Sequence, residues 1–291
     1  LIYRDLSGEF ENAVIDNLCS EYMKGRTPNP CIICNPLVKF KALTDAADEE
    51  GAKYVATGHY AGTCRDAVSG LWYITKAKNE AKDQSYMLYR LNQETISRLI
   101  LPLNDYSDKE ETRRLVRAAG IHNADARDSQ EICFIDSSDN HLAYMKRRGY
   151  EAAPGSFVDS NGNVLGEHRG ISAYTIGQRK GLGIALGYPA FVTAINSEDN
   201  TVELGNGEAL FGRTVRCSGV VGAGLEQYTG NNLCKLTGKI RYAAKPAPVV
   251  IKELDGDSML VEFEEPQRAA TLGQSLVLYD GDRVIGGGFI D

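Results

Sequence analysis

At 291 residues the chain sits at the upper limit for one hydrophobic core, about 250 to 300 residues, so two or three domains are expected. A composition of 43% hydrophobic and 24% charged residues, with mean hydropathy −0.29, excludes disorder, and no apolar run reaches the roughly 18 to 20 residues of a membrane-spanning helix. The net charge of −7 argues against a uniformly basic nucleic-acid-binding domain, although three local basic groups stand out: Lys146 to Arg148; Arg169, Arg179 and Lys180; and Lys235, Lys239, Arg241 and Lys245. Each group reads equally well as a solvated face.

Residues 1–10 carry neither the basic nor the apolar segment of a secretion signal, so the expected location is cytoplasmic, with no membrane partner. The seven cysteines are an odd number in such a chain, which argues against a structural disulfide framework.

In chain order, Phe10, Val14, Leu18 and Tyr22 recur at helical spacing, and Gly25 supplies a stop. A second helix is predicted over 39–50, closed by Gly51. The β-rich run 53–57 then empties into Gly58, as a buried parallel strand does at the sheet edge where ligands bind. Another short strand is predicted over 71–75, and Ser107 with Glu110 forms a capping box for a helix that Gly120 ends. From Gly155 onward the pattern changes to short alternating runs broken by turn signals at 161–162, 198–200, 255–257 and 280–282. The chain therefore divides into an α/β region over 1–145, a small β-rich region over 146–210, and a final β-barrel over 211–291.

Cys31 and Cys34 form a Cys-x-x-Cys pair behind a loop stiffened by Asn29 and two prolines. It reads as a redox dithiol, as half of a zinc site, or as two small buried residues. A helix start there would offer backbone N–H groups to a thiolate. Cys133, between Ile132 and Phe134, reads on its own as a core cysteine, as do Cys19, Cys64, Cys217 and Cys234. His59 beside Gly58 is placed to hydrogen-bond a ligand or to position chain, and Lys82, Asp83, Gln84 and Ser85 read as a helix cap.

In order, GRTPNPCIICN (25–35), VKF (38–40), ATGHYA (56–61), KDQSYML (82–88), DSQEICFI (128–135), YTIGQRKGLGI (174–184) and GQSLVLYDGDRVIGGG (273–288) resemble the tRNA-specific 2-thiouridylases, formerly labelled methyltransferases. The resemblance covers nearly the whole chain. YTIGQRKGLGI and the pairing of NPCxxCN with ICFI are specific; GHYA alone is not.

The resemblance implies an α/β plus all-β fold. It comprises a partial adenine-nucleotide alpha-hydrolase domain of PP-loop, Rossmann-like type, a small central β domain that contacts tRNA, and a terminal elongation-factor-like β-barrel. It implies that ATP, with magnesium and no tightly bound metal, adenylates the 2-carbonyl oxygen of a wobble uridine, and that a cysteine persulfide then delivers sulfur. By position Cys34 matches the first catalytic cysteine and Cys133 the persulfide carrier. Cys31 falls where members carry cysteine or aspartate. Gly58 maps onto an ATP contact. Asn29, Pro30 and Cys31 map onto the border of the flipped base, and His59, Lys82, Asp83, Gln84, Arg241, Tyr242 and Gln274 onto tRNA contacts. The implied partners are tRNA with a wobble uridine and a persulfide-donating protein. The family's Ser-Gly-Gly-x-Asp-Ser phosphate cradle has no match in residues 1–22, so the chain is expected to begin about one βαβ unit late and to be inactive by itself. Two alternatives stay open: a non-catalytic tRNA-binding homologue, and a thiol redox or zinc protein built on Cys31 and Cys34.

Overall fold

The computed structural model describes residues 1–121, 132–136, 138–230 and 235–291. The first helical rod comprises α1 (Ser7–Phe10), a widened π-type turn over Glu11–Ile15, and α2 (Asp16–Met23). Its apolar stripe of Val14, Ile15, Leu18, Cys19 and Tyr22 is buried. Gly25 ends the rod at φ +71°, and a Cβ there would meet Ile195 Cγ2 of the central region at 2.4 Å, so glycine serves both the turn and the close approach.

Next come α3 (Pro30–Cys34), a second π-type turn over Asn35–Lys39, and α4 (Phe40–Glu49). Pro36 inside this run has no N–H to give to an ordinary helical ladder, and a widened turn absorbs the defect. The strand predicted over 53–57 is short: β1 (Val55–Ala56) pairs in parallel with β4 (Leu99–Ile100). The strand predicted over 71–75 is β3 (Trp72–Thr75), but it lies outside that parallel pair. It forms an antiparallel hairpin with β2 (Gly62–Arg65) and meets the terminal barrel through Thr75 opposite Arg283. Helix α5 (Gln93–Ser97) precedes β4, and α6 (Lys109–Ala118) follows it. The cap of α6 is Asp108, whose carboxylate accepts the Glu110 N–H at 2.9 Å, in place of the predicted Ser107.

Helix α7 (His141–Arg147) spans the division expected after 145. It serves both sides: Met145 packs among Ile15, Leu18 and Tyr22, whereas Leu142 packs against the central core. That central core belongs to a four-stranded sheet in the order β6 (Val164–His168), β5 (Gly155–Val158), β8 (Thr201–Gly205), β7 (Phe191–Asn196).

The last region is a closed six-stranded barrel. Its strands β9 (Phe211–Gly222), β10 (Leu236–Lys239), β11 (Ala247–Asp255), β12 (Ser258–Arg268), β13 (Ser275–Asp280) and β14 (Arg283–Ile290) run β10, β11, β12, β9, β14, β13, and β13 returns to β10. Closure removes the edges that short exposed strands would otherwise present. Gly256 and Gly281 turn the two hairpins at positive φ, where the turn signals place them.

The barrel is not a separate bead. Val277, Tyr279 and Val284 join Ile32, Phe40, Tyr86 and Leu88 in one core, and Tyr73 of β3 enters the barrel's own core. The Tyr86 hydroxyl, fully buried, donates to the Ser275 carbonyl at 2.7 Å. Among the described residues no helix is long and apolar enough to cross a membrane.

Gly287 tests this shared core. A Cβ there would lie 2.2 Å from the Leu276 carbonyl oxygen and 3.1 Å from the Tyr89 ring, and paired backbone cannot retreat as a flexible side chain can. Gly287→Ala is expected to destabilise the chain by about 1 to 3 kcal/mol in urea unfolding. A midpoint unchanged from the parent would show that the seam tolerates the methyl group.

Candidate active site

The loop from Gly25 to Asn29 is where the three regions meet. The Thr27 N–H donates to the Leu272 carbonyl of the barrel at 2.8 Å, and the Gln274 amide donates to the Thr27 carbonyl at 2.7 Å. From the central region, Thr175 accepts from the Thr27 hydroxyl at 3.2 Å. Arg26 donates to the Ile290 carbonyl at 3.1 Å and pairs with Glu21 at 2.8 Å. Gln274, mapped onto tRNA from the sequence, thus has its side-chain amide on the chain's own backbone.

Asn29 caps α3 by accepting the Cys31 N–H at 3.1 Å, and its amide reaches the Met87 sulfur at 3.4 Å. Pro30, at the first helical position, is buried. The pair therefore does open a helix, with Cys31 exposed in its first turn and Cys34 half-buried at its end. The expected thiolate stabilisation does not dominate. Limited hydration pushes both thiols above the ordinary cysteine range, and α3 has only five residues before the widened turn.

The neighbour that opposes this rise is Lys39. At the end of the π-type turn its ammonium favours the thiolates of Cys34 and Cys31, and its backbone N–H also favours the Cys34 thiolate. Lys39 was visible in the VKF run, but a lone exposed lysine carries no signal until the turn places it beside a thiol.

Cys133 is exposed, which corrects its reading as a core cysteine. Its neighbours supply the reason: Ile132 and Phe134 pack on the first helical rod and α7, with the Phe134 ring 5.3 Å from Phe10 and 5.6 Å from Tyr144. Anchoring both flanks turns the thiol outward. It stands close enough to Cys31 and Cys34 for its charge to raise both. The described cysteines are all free; Cys19 and Cys217 are buried, Cys64 is half-buried, and Cys234 and the 128–131 part of the motif lie outside the described residues.

At the carboxyl end of β1, the Thr57 hydroxyl and His59 Nδ1 are 2.8 Å apart, and the imidazole lies against Phe40 with ring centroids 5.4 Å apart. Burial, with Lys39 adding to it, lowers the His59 pKa to about 4, so the ring is neutral at physiological pH. A side chain at Gly58 would meet only Leu103, at 3.9 Å, which leaves this corner open to a ligand.

Gln84 clamps the same loop: its side chain accepts the Tyr60 N–H at 2.9 Å, and its own N–H donates to the Tyr60 carbonyl at 2.7 Å. Asp83 is buried, with its carboxylate accepting from the Ala77 N–H at 2.9 Å and the Ser85 hydroxyl at 2.7 Å. Lys82 is half-buried nearby. On the barrel side, Arg241 donates to the Arg268 carbonyl at 3.1 Å, and Tyr242 is partly exposed 6.1 Å from the Tyr86 ring. The first basic group from the sequence is spent internally: Lys146 pairs with Glu151, Arg147 with Asp139 and Arg148 with Glu11.

Two hollows bear on the site. A cleft of about 310 Å³ lies against α3, lined by Pro28, Asn29 and Ile33 on one side and by Ser218, Gly273 and Phe289 of the barrel on the other. A larger hollow of about 700 Å³ lies within the 179–190 loop and shares no lining residue with the cysteines. Neither is lined by a thiol; the first is walled by Asn29 and Ile33, chain neighbours of the paired cysteines, and is the better candidate for a substrate group.

Lys39 can be tested directly. Because its charge lowers the pKa of both Cys34 and His59, Lys39→Met is expected to shift Cys34 alkylation to higher pH and to move the His59 titration upward from about 4. The measurements are iodoacetamide rate against pH and imidazole chemical shift against pH. Coincident profiles for parent and variant would remove Lys39 from the site.

Residues 1–137 match the family model described as the tRNA methyl transferase HUP domain, 143–206 the tRNA methyl transferase PRC-barrel domain, and 225–290 the aminomethyltransferase beta-barrel domain. The chain is 48% identical to the tRNA-specific 2-thiouridylase MnmA of Desulforudis audaxviator, with 98% of this chain and 82% of the relative covered. It is 44% identical to that of Carboxydothermus hydrogenoformans, covering 100% and 78%, and 43% identical to that of Clostridioides difficile, covering 97% and 77%. With three regions matched in order and such identity along nearly its whole length, the chain belongs to the tRNA-specific 2-thiouridylase family.

Proposed function

We propose that the chain is the tRNA-binding and sulfur-transferring body of an enzyme that 2-thiolates the wobble uridine. The observation that supports this reading is that Cys133, exposed on an anchored loop, lies near enough to Cys34 and Cys31 to act on their ionisation, although they stand about a hundred positions earlier in the chain.

The chemistry asks for this arrangement. A uracil 2-carbonyl is a poor electrophile. Attack of its oxygen on the α-phosphorus of ATP, expelling pyrophosphate, makes AMP the leaving group. A persulfide on Cys133 is a soft nucleophile; its terminal sulfur bonds to C2 as AMP departs. The Cys34 thiolate then attacks the inner sulfur, the sulfur–sulfur bond to the base breaks, and thiouridine leaves behind a Cys34–Cys133 disulfide that a cellular dithiol reduces. Lys39 supports the Cys34 thiolate, and the half-buried, neutral His59 borders the open corner at Gly58. That corner suits the base side of ATP, while residues 1–22 hold no match to the phosphate cradle. The cleft beside Asn29 would take the extruded base, and the domains divide at 145, within α7, and at 210, between the central sheet and the barrel. For a zinc reading the described residues supply no group of three or more ligands.

With the cradle segment joined upstream, Cys133→Ser is expected to abolish thiouridine formation with tRNA affinity nearly unchanged. Cys34→Ser should hold the added sulfur on Cys133, seen without tRNA as a persulfide one sulfur heavier in the intact mass and, with ATP and tRNA, as a disulfide-linked adduct to the base that a dithiol releases. Cys31→Ser should be milder; equal damage at Cys31 and Cys34 would show that the attacking thiol has been misassigned.

The 291-residue chain by itself is expected to bind tRNA weakly and release no AMP from ATP, because phosphate positioning supplies much of such catalysis. AMP release should appear once the Ser-Gly-Gly-x-Asp-Ser segment is joined. Release from the shorter chain would mean the nucleotide site is misplaced. Silence from the longer chain with tRNA present would favour a non-catalytic tRNA-binding protein.

A further inference from the structure

The reaction proposed above uses two of the three thiols at the site and gives the third, Cys31, no part. Cys31 is the exposed member of the helical pair, and Cys34 is half-buried behind it. Three positions apart on one turn, the two side chains share a face of α3, with Cβ atoms about 5 to 6 Å apart, whereas a disulfide asks for about 3.5 to 4.5 Å. Tightening of that turn by about 1 to 2 Å joins them.

Both ends of α3 are fastened to the same residue. The Asn29 amide donates to the Met87 sulfur at 3.4 Å, and the amide of the buried Asn35 donates to the Met87 carbonyl at 2.9 Å. The pair is held together between them. Cys133 reaches it on a shared support: α3 packs against the π-type turn of the first rod, and Ile132 and Phe134 pack on Phe10, Ile15 and Leu18 of that same rod. With those flanks anchored, the outward thiol of Cys133 has to be drawn in to bond with Cys34. A bond between Cys31 and Cys34 leaves the 132–134 segment where it is.

Resting on the thiolation reading above, we propose that Cys31 is the resolving thiol that returns Cys133 to service after each transfer. The Cys31 thiolate, its proton lost to solvent, attacks the Cys34 sulfur of the Cys34–Cys133 disulfide. The Cys31–Cys34 bond forms, the Cys34–Cys133 bond breaks, and the electron pair leaves on the Cys133 sulfur as a thiolate, the form that takes up the next sulfur. The exchange itself is redox-neutral. A cellular dithiol then gives two electrons to the Cys31–Cys34 bond and becomes a disulfide. A thiol three positions away meets the half-buried Cys34 sulfur at an effective concentration of about millimolar or more, without diffusing into the site. A dithiol attacking Cys133 directly would leave a mixed disulfide on the sulfur carrier; the exchange moves that step to Cys31, which carries no sulfur.

The test is one turnover without reductant. The chain with the cradle segment joined, its Cys133 loaded from a small-molecule persulfide, receives ATP and tRNA, and the same mixture without ATP gives the background. Thiouridine is counted, free thiols are blocked with iodoacetamide, and disulfides are mapped by peptide mass. The parent is expected to end mostly as Cys31–Cys34 with Cys133 alkylated. Cys31→Ser should stop at Cys34–Cys133, with Cys133 closed to iodoacetamide. Cys64→Ser, which removes a thiol on β2, should give the parent's map. A parent that makes thiouridine yet ends as Cys34–Cys133 with Cys31 alkylated would overturn the resolving role and leave the thiolation reading standing. A parent that makes no thiouridine would overturn that reading, and this role with it.

Discussion

The backbone of one residue holds the site together. The N–H and C=O of Thr27 are both satisfied by the barrel, through the Leu272 carbonyl and the Gln274 amide. A buried backbone group left without a partner costs about 1 to 3 kcal/mol, so this two-point bond sets the position of the loop strictly. Two residues later Asn29 caps α3, and the cap places Cys31 and Cys34. The barrel, some 245 positions away in sequence, thereby determines where the paired thiols stand. Fusion of the two cores through Tyr86, Tyr89 and Val277 gives that arrangement its stiffness.

The electrostatics of the site are those of restraint. Burial raises the thiols of Cys31 and Cys34 and keeps His59 neutral, and Lys39 is the charge that works against the first effect and with the second. A fully ionised pair of cysteines would be prone to premature oxidation, whereas thiols held above their ordinary range react when a partner electrophile is brought to them. The widened turn at Pro36 is what aims Lys39: an unbroken ladder would carry its backbone N–H around the helix and away from Cys34.

Several residues that look like surface contacts in the sequence serve the scaffold first. Gln84 clamps Tyr60, Gln274 clamps Thr27, and Asp83 organises the turn into Ser85.

Much of this was readable in advance, for local reasons. The stripe from Phe10 to Tyr22, the positive-φ glycines at 25, 51 and 120, the Asn29 and Pro30 helix start, and the change to hairpins after Gly155 all follow from spacing and turn chemistry, which need no distant partner. The motif order likewise carried the family. Tertiary structure alone decided that β3 leaves the parallel pair to join the barrel, that Cys133 faces outward because Ile132 and Phe134 face in, and that burial outweighs the helix start at Cys31 and Cys34. It also decided that Lys39 matters. A pattern of residue types specifies which bonds a segment can make with itself; hydration, field and exposure depend on which distant segments pack against it, and those are set only when the chain closes on its own core.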